Sequence, residues 1–185
     1  MPYIEIKRTK QYFEWMQNKL YLDIIAPKAK SRIVKRGHVY ECQFGRCIGS
    51  EQEKNRPCVV LQCADGNRNS PNTIVAPITH TGAKLAIVVP IQPQYDQNGC
   101  LILDGNVLLG NIITVSKSRL GAEITKLTST EMKSIEIAII KSLELNHKFE
   151  SLQNTIKDKD NYNNKLKTII NNQKQEMEKL RKQLE

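Results

Sequence analysis

The sequence has no long hydrophobic run. No stretch of the 185-residue chain approaches the roughly 18 uninterrupted apolar residues of a membrane-spanning helix. The amino terminus also lacks the apolar block of a signal peptide. These absences disfavour membrane and secreted proteins, so we expect a cytoplasmic protein with no membrane partner. The chain is long enough for one well-buried domain with accessory segments, and its length disfavours two full catalytic domains.

Cysteine is scarce, and its count is odd. Five cysteines in a chain without a secretion signal are expected to stay reduced. Cys42 and Cys47, like Cys58 and Cys63, are five residues apart, and an odd separation along a strand points side chains to opposite faces. Neither pair then clamps a metal. We expect small apolar strand residues instead of zinc or redox chemistry, and no cofactor.

Charge is unevenly spread along the chain. The formal net charge is +9, and the first 36 residues carry nine Lys or Arg against three acids. Residues 37–144 carry ten of each sign, whereas residues 145–185 carry nine basic and six acidic side chains. A basic arm beside a neutral domain indicates a polyanion partner, although a merely solubilising arm fits as well. The densest basic cluster consists of Lys28, Lys30, Arg32, Lys35 and Arg36.

The basic arm contains a helical pattern. Residues 11–25 place apolar side chains at steps of three and four, which is typical of an amphipathic helix. These side chains are Phe13, Met16, Leu20 and Ile24. Pro27 helps to end the predicted helix, because proline has no backbone donor.

From His38 the composition changes to short runs rich in Val, Ile, Thr and Tyr. The runs alternate with clusters of Gly, Asn and Pro, and such spacing is typical of a small antiparallel sheet or barrel. The runs are VYECQF, PCVVLQC, NTIVAPIT, LAIVVPI, CLIL and NVLLGNIITV. The expected fold class is therefore mainly β with helices (α+β).

A helix is predicted after the sheet. Thr128 and Glu131 have the spacing of a capping box, in which a hydroxyl and an acid three residues later open a helix. No Gly or Pro occurs from Met132 to the end of the chain, so nothing obligatory stops this helix before the tail. We expect it to pack on the barrel and to run on into the last segment.

The tail carries a sustained heptad. From Leu145 to Leu184 mostly apolar residues alternate by four and three, and Asn163 is an amide within this seam. A buried amide of this kind fixes the register of parallel two-stranded coiled coils. Lys159 in the seam weakens the pairing, so we expect the tail to form a coiled coil only within a dimer. A frayed charged helix is the alternative.

Two polar side chains stand at strand ends. The segment GSEQEKNRPCVVLQ joins a polar loop to a strand, with Arg56 at the junction. Pro57 biases Arg56 towards an extended backbone, which presents the guanidinium from a strand edge as a candidate phosphate clamp. In the next strand Thr79 ends the run APIT. Its hydroxyl can both donate to and accept from a phosphate oxygen or a ribose hydroxyl.

Four blocks of the sequence resemble, in the same order, successive blocks of the MazF/PemK toxins. The blocks are KRGHVYECQFG, IGSEQEKNRPCVVLQ, NRNSPNTIVAPIT and LLGNIITVSKSRLG. The resemblance spans about residues 36–143. It implies a small SH3-like open β-barrel of the MazF/CcdB type over residues 37–144. A basic helical extension (1–36) would precede this domain, and a coiled-coil tail (145–185) would follow it.

The resemblance also implies an activity and partners. It implies a homodimer that binds single-stranded RNA along a groove involving the dimer interface and cuts it at a short sequence. A cognate antitoxin protein is implied as well. By motif, the catalytic arginine is Arg56 and the catalytic threonine is Thr79. The weaker candidates for substrate contact are Glu51, Ser50, Gln52, Asn111, Arg68 and Lys84.

The chemistry expected of such a site follows from its substrate. Cleavage of RNA by its own 2′-hydroxyl passes through a doubly negative phosphorane, which fixed positive charge and aimed donors stabilise. The planar fork of Arg56 can engage two oxygens and stays charged, while the Thr79 hydroxyl orients the phosphate or the nucleophile. No metal is required, and DNA should be spared because it lacks the nucleophile. Family analogy implies a cyclic phosphate on one product end and a free 5′-hydroxyl on the other.

Four further residues bear on mechanism, on specificity or on the helix after the barrel. His80 is a candidate general acid or base, but alternation along the strand should point it away from Thr79. Gly110 and Asn111 stand where many relatives have an acid and a glutamine, so the preferred cut site should differ. Glu144 replaces a glycine that often ends the helix in relatives, which fits a continuous helix.

Two other functions fit the same kind of barrel. One is a non-enzymatic, CcdB-like toxin directed at gyrase, and the other is a nucleic-acid-binding module without catalysis. The blocks around Arg56 and Thr79 favour the nuclease.

Overall fold

The β-rich middle of the chain folds into antiparallel strands, and helices flank these strands in the sequence. The structure is a computed structural model that describes residues 5–81 and 84–184. The elements in chain order are α1 (Ile6–Ala29), β1 (His38–Gly45), β2 (Lys54–Val60), α2 (Ala64–Asn69), β3 (Asn72–Thr79), β4 (Val88–Tyr95), β5 (Leu101–Leu108), β6 (Ile113–Ser116), β7 (Leu120–Lys126), α3 (Ser129–Ser142) and α4 (Asn146–Leu184). Two compact units result, one ending at Ser142 and one beginning at Leu143.

The strands form a curled antiparallel sheet in the order β4-β5-β3-β2-β1-β7, and β6 pairs with β3. β3 changes partner along its length. Residues 72–75 pair with β6, whereas Ile78 and Thr79 pair with β5. This change of partner curls the sheet into an open half-barrel, and it leaves Thr79 at the point where two strands meet. The predicted fold class, mainly β with helices, is confirmed.

Both faces of the central strands are buried, because side chains along a strand alternate between two sides. Val39 and Val59 belong to an apolar cluster that includes Ile135 of α3. The residues next to them in the sequence, Tyr40 and Cys58, belong to a second cluster. A strand that packs against an apolar cluster on each face is rigid, so it holds a residue at its end in a fixed position.

The cysteines have different environments. Cys42 and Cys58 are fully buried, and a hydrogen bond between them, together with burial, raises the pKa of the Cys58 thiol. The expectation of small apolar strand residues is confirmed for this pair. It is wrong for Cys63, which is exposed and precedes α2 instead of lying within a strand. Cys100, which belongs to neither pair, is exposed as well. Cys47 is half-buried, and the described thiols are all free.

α1 is longer than the sequence pattern predicts. It runs over Ile6–Ala29, so the prediction that Pro27 helps to end it is wrong. Proline removes one backbone donor, and this loss affects only the last turn, which stops at Ala29 in any case. The predicted apolar stripe is exposed, whereas Leu22 is buried and Trp15 is half-buried. The stripe consists of Phe13, Met16, Leu20 and Ile24.

The predicted continuous helix from α3 into the tail is wrong. α3 ends at Ser142, α4 begins at Asn146, and Glu144 between them has a φ of 51°. This left-handed backbone conformation commonly ends helices and usually belongs to glycine. Glu144 therefore adopts the helix-ending conformation itself, at some cost in steric strain. The absence of Gly and Pro makes such a stop less favourable but does not prevent it.

The capping box at the start of α3 is confirmed. The backbone N–H of Glu131 donates to the Thr128 hydroxyl at 3.2 Å, and the Thr128 N–H donates to the Glu131 carboxylate at 2.8 Å. The same carboxylate accepts from the backbone N–H of Gln92 in β4 at 2.9 Å. Burial alone would raise the pKa of Glu131, but these hydrogen bonds outweigh burial and lower it. One carboxylate thus caps α3 and attaches it to the sheet.

α4 is a single helix of 39 residues. Its seam residues are exposed along the chain, among them Leu152, Ile156 and Ile170 at 60%, 59% and 48%. A helix that exposes a regular apolar seam needs a partner to cover it. Self-pairing of the tail stays a prediction.

Candidate active site

Arg56 and Thr79 meet across two neighbouring strands. β2 and β3 pair with Cys58 opposite Pro77, and two more residues along the same register bring Arg56 opposite Thr79. The Arg56 Nη1 donates to the Thr79 Oγ1 at 3.2 Å. The two candidate catalytic side chains, 23 residues apart in sequence, therefore share one edge of the half-barrel.

A short network of hydrogen bonds fixes the Arg56 guanidinium. Its Nε donates to the backbone carbonyl of Glu53 at 2.8 Å, which fixes the plane of the guanidinium. The Glu53 carboxylate accepts from Arg46 Nη1 at 2.8 Å, and this hydrogen bond from Arg46 lowers the pKa of Glu53. Residues 46–53, called the active-site loop below, are thus closed at their base by an ion pair. Arg56 keeps Nη2 available, since no described residue accepts from it.

A second hydroxyl, which sequence reasoning missed, lies beside Thr79. The Oγ1 atoms of Thr79 and Thr81 are 3.2 Å apart, and the Thr81 N–H approaches the Thr79 Oγ1 at 3.4 Å. Thr79 is only 6% exposed, whereas Thr81 is exposed. The spacing of two residues, which keeps strand side chains on one side, was the signal that could have found Thr81.

Gly105 of β5 brings the backbone close to Thr79. A Cβ at this position would lie 2.7 Å from the Thr79 carbonyl oxygen, and the φ of Gly105 is +108°. The neighbouring Asn106 pairs with Thr79 in the β3–β5 ladder. Only glycine allows this close approach, so Gly105 helps to set the position of Thr79. The contact joins distant parts of the chain, and no local sequence signal predicts it.

The active-site loop carries three of the weaker candidates. The Glu51 carboxylate accepts from the backbone N–H of Ile48 at 3.2 Å, which shapes the loop. Ser50 is exposed. The Oε1 of Gln52 is buried and has no hydrogen-bond partner among the described residues. A buried acceptor without a donor costs free energy.

The other three weaker candidates are spread along the barrel. Asn111 is exposed at the turn after β5, and Lys84 is exposed in the connection from β3 to β4. Arg68 is exposed in α2, which precedes β3. Since Thr79 ends that strand, Arg68 lies at its opposite end, and an eight-residue strand spans roughly 25 Å. Arg68 is therefore remote from the Arg56–Thr79 pair.

His80 points away from the site. Its Nε2 is paired with the carboxylate of Asp104 in β5, and its side chain is 78% exposed. Thr79, the preceding residue, is turned inward to Arg56. The alternation of strand side chains thus separates the imidazole from the Thr79 hydroxyl, as predicted.

Part of the basic cluster in the N-terminal arm is bound internally. The Arg32 guanidinium donates to the carbonyls of Leu120 and Gly121, and Arg36 donates to the carbonyl of Leu61. Arg36 also forms an ion pair with a glutamate of α3 at 2.9 Å. Both arginines therefore attach the arm to the barrel, which disfavours them as free contacts for a polyanion. The exposed cations of the cluster are Lys28, Lys30 and Lys35.

Within residues 5–81 and 84–184, no group of three His, Cys, Asp or Glu side chains is arranged to hold a metal ion. None of the helices in the described part of the chain has the length and apolarity to cross a bilayer.

Comparison with known proteins identifies the family. A family model described as a PemK-like, MazF-like toxin of type II toxin-antitoxin systems matches residues 35–143, more than half of the chain. The chain belongs to this family. The resemblance seen in the sequence blocks is confirmed, and Arg56 and Thr79 both lie within the matched PemK/MazF-like span. α1 and α4 lie outside it.

Two relatives resemble this PemK/MazF-like chain closely in sequence. Endoribonuclease EndoA of Bacillus subtilis is 38% identical over 113 residues, which are 61% of this chain and 97% of that protein. Endoribonuclease MazF of Staphylococcus saprophyticus is 36% identical over 113 residues, 61% of this chain and 93% of that protein. The barrel thus accounts for nearly the whole of each relative.

Solved structures share the fold of the PemK/MazF-like domain. An endoribonuclease in complex with its cognate antitoxin, from Mycobacterial species, matches with a TM-score of 0.51 and 26% identity. The match covers 60% of this chain and 96% of that one. MazF from Deinococcus radiodurans matches with a TM-score of 0.53 and 18% identity, over 60% of this chain and 97% of that one. The predicted MazF-type barrel is confirmed.

Proposed function

We propose that this chain is the toxin of a type II toxin–antitoxin pair and acts as a metal-independent endoribonuclease that cuts single-stranded RNA at a short sequence. Membership of the PemK/MazF-like family and two relatives named endoribonucleases support the reaction class. The observation that carries the proposal is the 3.2 Å contact between the Arg56 guanidinium and the Thr79 hydroxyl. Fold alone does not fix a function, whereas this pair offers the groups that the reaction needs. Action on cellular RNA implies a cytoplasmic protein.

The proposed reaction uses the RNA's own nucleophile. The ribose 2′-oxygen loses its proton and attacks the adjacent phosphorus. The bond from phosphorus to the 5′-oxygen then breaks, and that oxygen gains a proton. The products are a 2′,3′-cyclic phosphate and a 5′-hydroxyl. Negative charge grows on the phosphate oxygens in the transition state, so donors fixed beforehand stabilise it more than the ground state.

Arg56 and Thr79 have different roles in this proposal. Arg56 is held through its Nε by the Glu53 carbonyl, so Nη1 and Nη2 can face a phosphate without first losing side-chain freedom. Its charge neutralises the phosphorane. The Thr79 hydroxyl, already oriented by Arg56 and Thr81, donates to a phosphate oxygen or accepts from the 2′-hydroxyl.

We also propose a homodimer with a cognate antitoxin as partner. The solved complex of a Mycobacterial endoribonuclease with its antitoxin supports the second part. The exposed seam of α4, with Asn163 as its register-setting amide, supports a parallel two-stranded coiled coil between two tails.

Incubation of the purified full-length protein with RNA oligonucleotides in excess chelator tests the reaction. We expect cleavage with a cyclic phosphate at one new end, and no cleavage when the ribose at the cut site is replaced by deoxyribose. Arg56→Ala should be inactive, while the matched control Arg181→Ala in the exposed tail should cut normally. RNA that is bound but left intact would instead favour a nucleic-acid-binding module, and inhibited gyrase a CcdB-like toxin.

A further inference from the structure

α1 packs against the strand end that leads into the active-site loop. Trp15 lies over Gly45, the last residue of β1, so closely that a Cβ on Gly45 would come within 2.2 Å of the indole ring. Gly45 also has a φ of +88°. A guanidinium, that of Arg119, lies 5.4 Å from the centre of the same ring. The indole thus lies close to both the backbone at the base of the loop and a cation.

Two further side chains of α1 contact the same region. The Tyr12 hydroxyl donates to the backbone carbonyl of Cys47, within the loop, at 3.0 Å. Asn18 Nδ2 donates to the Gln43 Oε1, on β1, at 2.6 Å. Residues 12, 15 and 18 are three apart and therefore lie along one side of a helix. This side is distinct from the exposed apolar stripe of α1.

The loop connects these contacts to the guanidinium of Arg56. It begins at Arg46, directly after the glycine under Trp15, and ends at Glu53, which pairs with Arg46 at 2.8 Å. The carbonyl of Glu53 accepts from the Arg56 Nε at 2.8 Å. A displacement of the loop would therefore move the acceptor that orients Arg56 relative to Thr79.

The C-terminal end of α1 is anchored independently of the loop. Lys117, only 1% exposed, donates through Nζ to the carbonyl of Asn67 at 2.6 Å and approaches that of Lys30 at 3.4 Å. Arg32 binds two carbonyls at the start of β7. A helix fixed to the barrel at its C-terminal end can hold the loop through residues in its preceding turns.

We propose that Trp15 and Tyr12 are positioning residues, which act through Gly45 and Cys47 to hold the active-site loop in the conformation that orients Arg56. Their role depends on the proposed nuclease function, since it concerns the orientation of a catalytic group. It gives α1, which lies outside the matched family span of residues 35–143, a part in the reaction.

Hydrogen exchange and single-turnover cleavage on the full-length protein test this role together. Trp15→Ala should speed amide exchange in residues 46–53 and lower the cleavage rate at saturating RNA by about tenfold or more, because small misplacements of a catalytic group are costly. Trp15→Phe keeps a ring over Gly45, so it should restore most of the exchange protection of the loop and most of the cleavage rate. Phe13→Ala is the matched control, since it removes a ring that is 62% exposed from the same helix.

Unchanged exchange in the loop of Trp15→Ala would overturn the proposal, and so would equal effects in Phe13→Ala. Should Trp15→Ala not fold, Tyr12→Phe carries the test, because it removes only the hydroxyl that binds Cys47. We expect it to speed loop exchange to a smaller extent, and no change there would contradict the role. If the wild-type protein cleaves no RNA, the nuclease proposal fails, while the exchange measurement still decides whether α1 holds the loop.

Discussion

Replacement of Gly105 by alanine adds one methyl group beside the backbone of Thr79. The new Cβ would lie 2.7 Å from the Thr79 carbonyl oxygen and 3.0 Å from its carbonyl carbon. Because ordinary contacts begin at about 3.4 Å, β5 and the end of β3 must separate by roughly 0.7 Å. Gly105 also has a φ of +108°, which alanine adopts only with strain. Strain and overpacking together should lower the free energy of unfolding by about 2–4 kcal/mol.

The displaced group is a candidate catalytic residue, so activity should fall as well. We expect Gly105→Ala to lower the single-turnover rate of RNA cleavage by about 10- to 100-fold, since a shift near ~1 Å can cost ~100-fold. Gly99→Ala is the matched control. Gly99 has a φ of +78° and no atom within 4 Å of the added Cβ, so this change introduces backbone strain without a clash. Urea unfolding and cleavage are measured for both. Wild-type cleavage in Gly105→Ala, with stability no lower than in Gly99→Ala, would show that Gly105 does not set the position of Thr79.

Three other changes give distinct outcomes. Glu144→Gly relieves the left-handed strain and should stabilise the protein towards urea by up to about 1 kcal/mol, whereas Glu144→Ala, which keeps the strain, should not. The pKa of Glu131 is lower in the fold than its ordinary value of 4.5. Its ionised form therefore stabilises the fold at neutral pH, and this stabilisation should be lost as the pH falls below 4.5. Glu131→Gln has no carboxylate at this position, so its urea midpoint should fall less than that of the wild type over the same pH range. Ile170→Asp in the seam of α4 should weaken the dimer at least about tenfold in sedimentation, whereas Thr168→Asp on the outer side should not; equal dimer constants would contradict tail pairing.

The candidate site could be predicted where its residues carry local signals. Arg56 precedes a proline at a strand start, and Thr79 closes a run of apolar strand residues, so both could be placed at strand ends from sequence. Their contact depends on the register between β2 and β3. The sequence implies this register only through the resemblance of its blocks to those of the PemK/MazF family. Thr81 and Gly105 depend on the end of β3 and on its pairing with β5. The two-residue spacing from Thr79 is a local sequence signal for Thr81, whereas no local signal marks Gly105.

The helices show what periodicity leaves open. Apolar residues spaced by three and four predicted α1, but this spacing does not show which of them pack against the rest of the protein. The face that packs on the barrel instead carries Trp15, Tyr12 and a buried leucine. For α3 the error had another cause. A helix can end without Gly or Pro, because a residue such as Glu144 can itself adopt the left-handed conformation.

We infer that Arg56 and Thr79 act on one scissile phosphate as a unit. Single-turnover cleavage of one RNA oligonucleotide in chelator, by Arg56→Ala, Thr79→Val and the double variant, tests this inference. We predict that each single change lowers the rate by on the order of 100- to 1000-fold and that the double change costs little more than either. Thr79→Ser, which keeps the hydroxyl, should retain most activity. Wild-type rates in either single variant, or losses that simply multiply in the double variant, would contradict the inference.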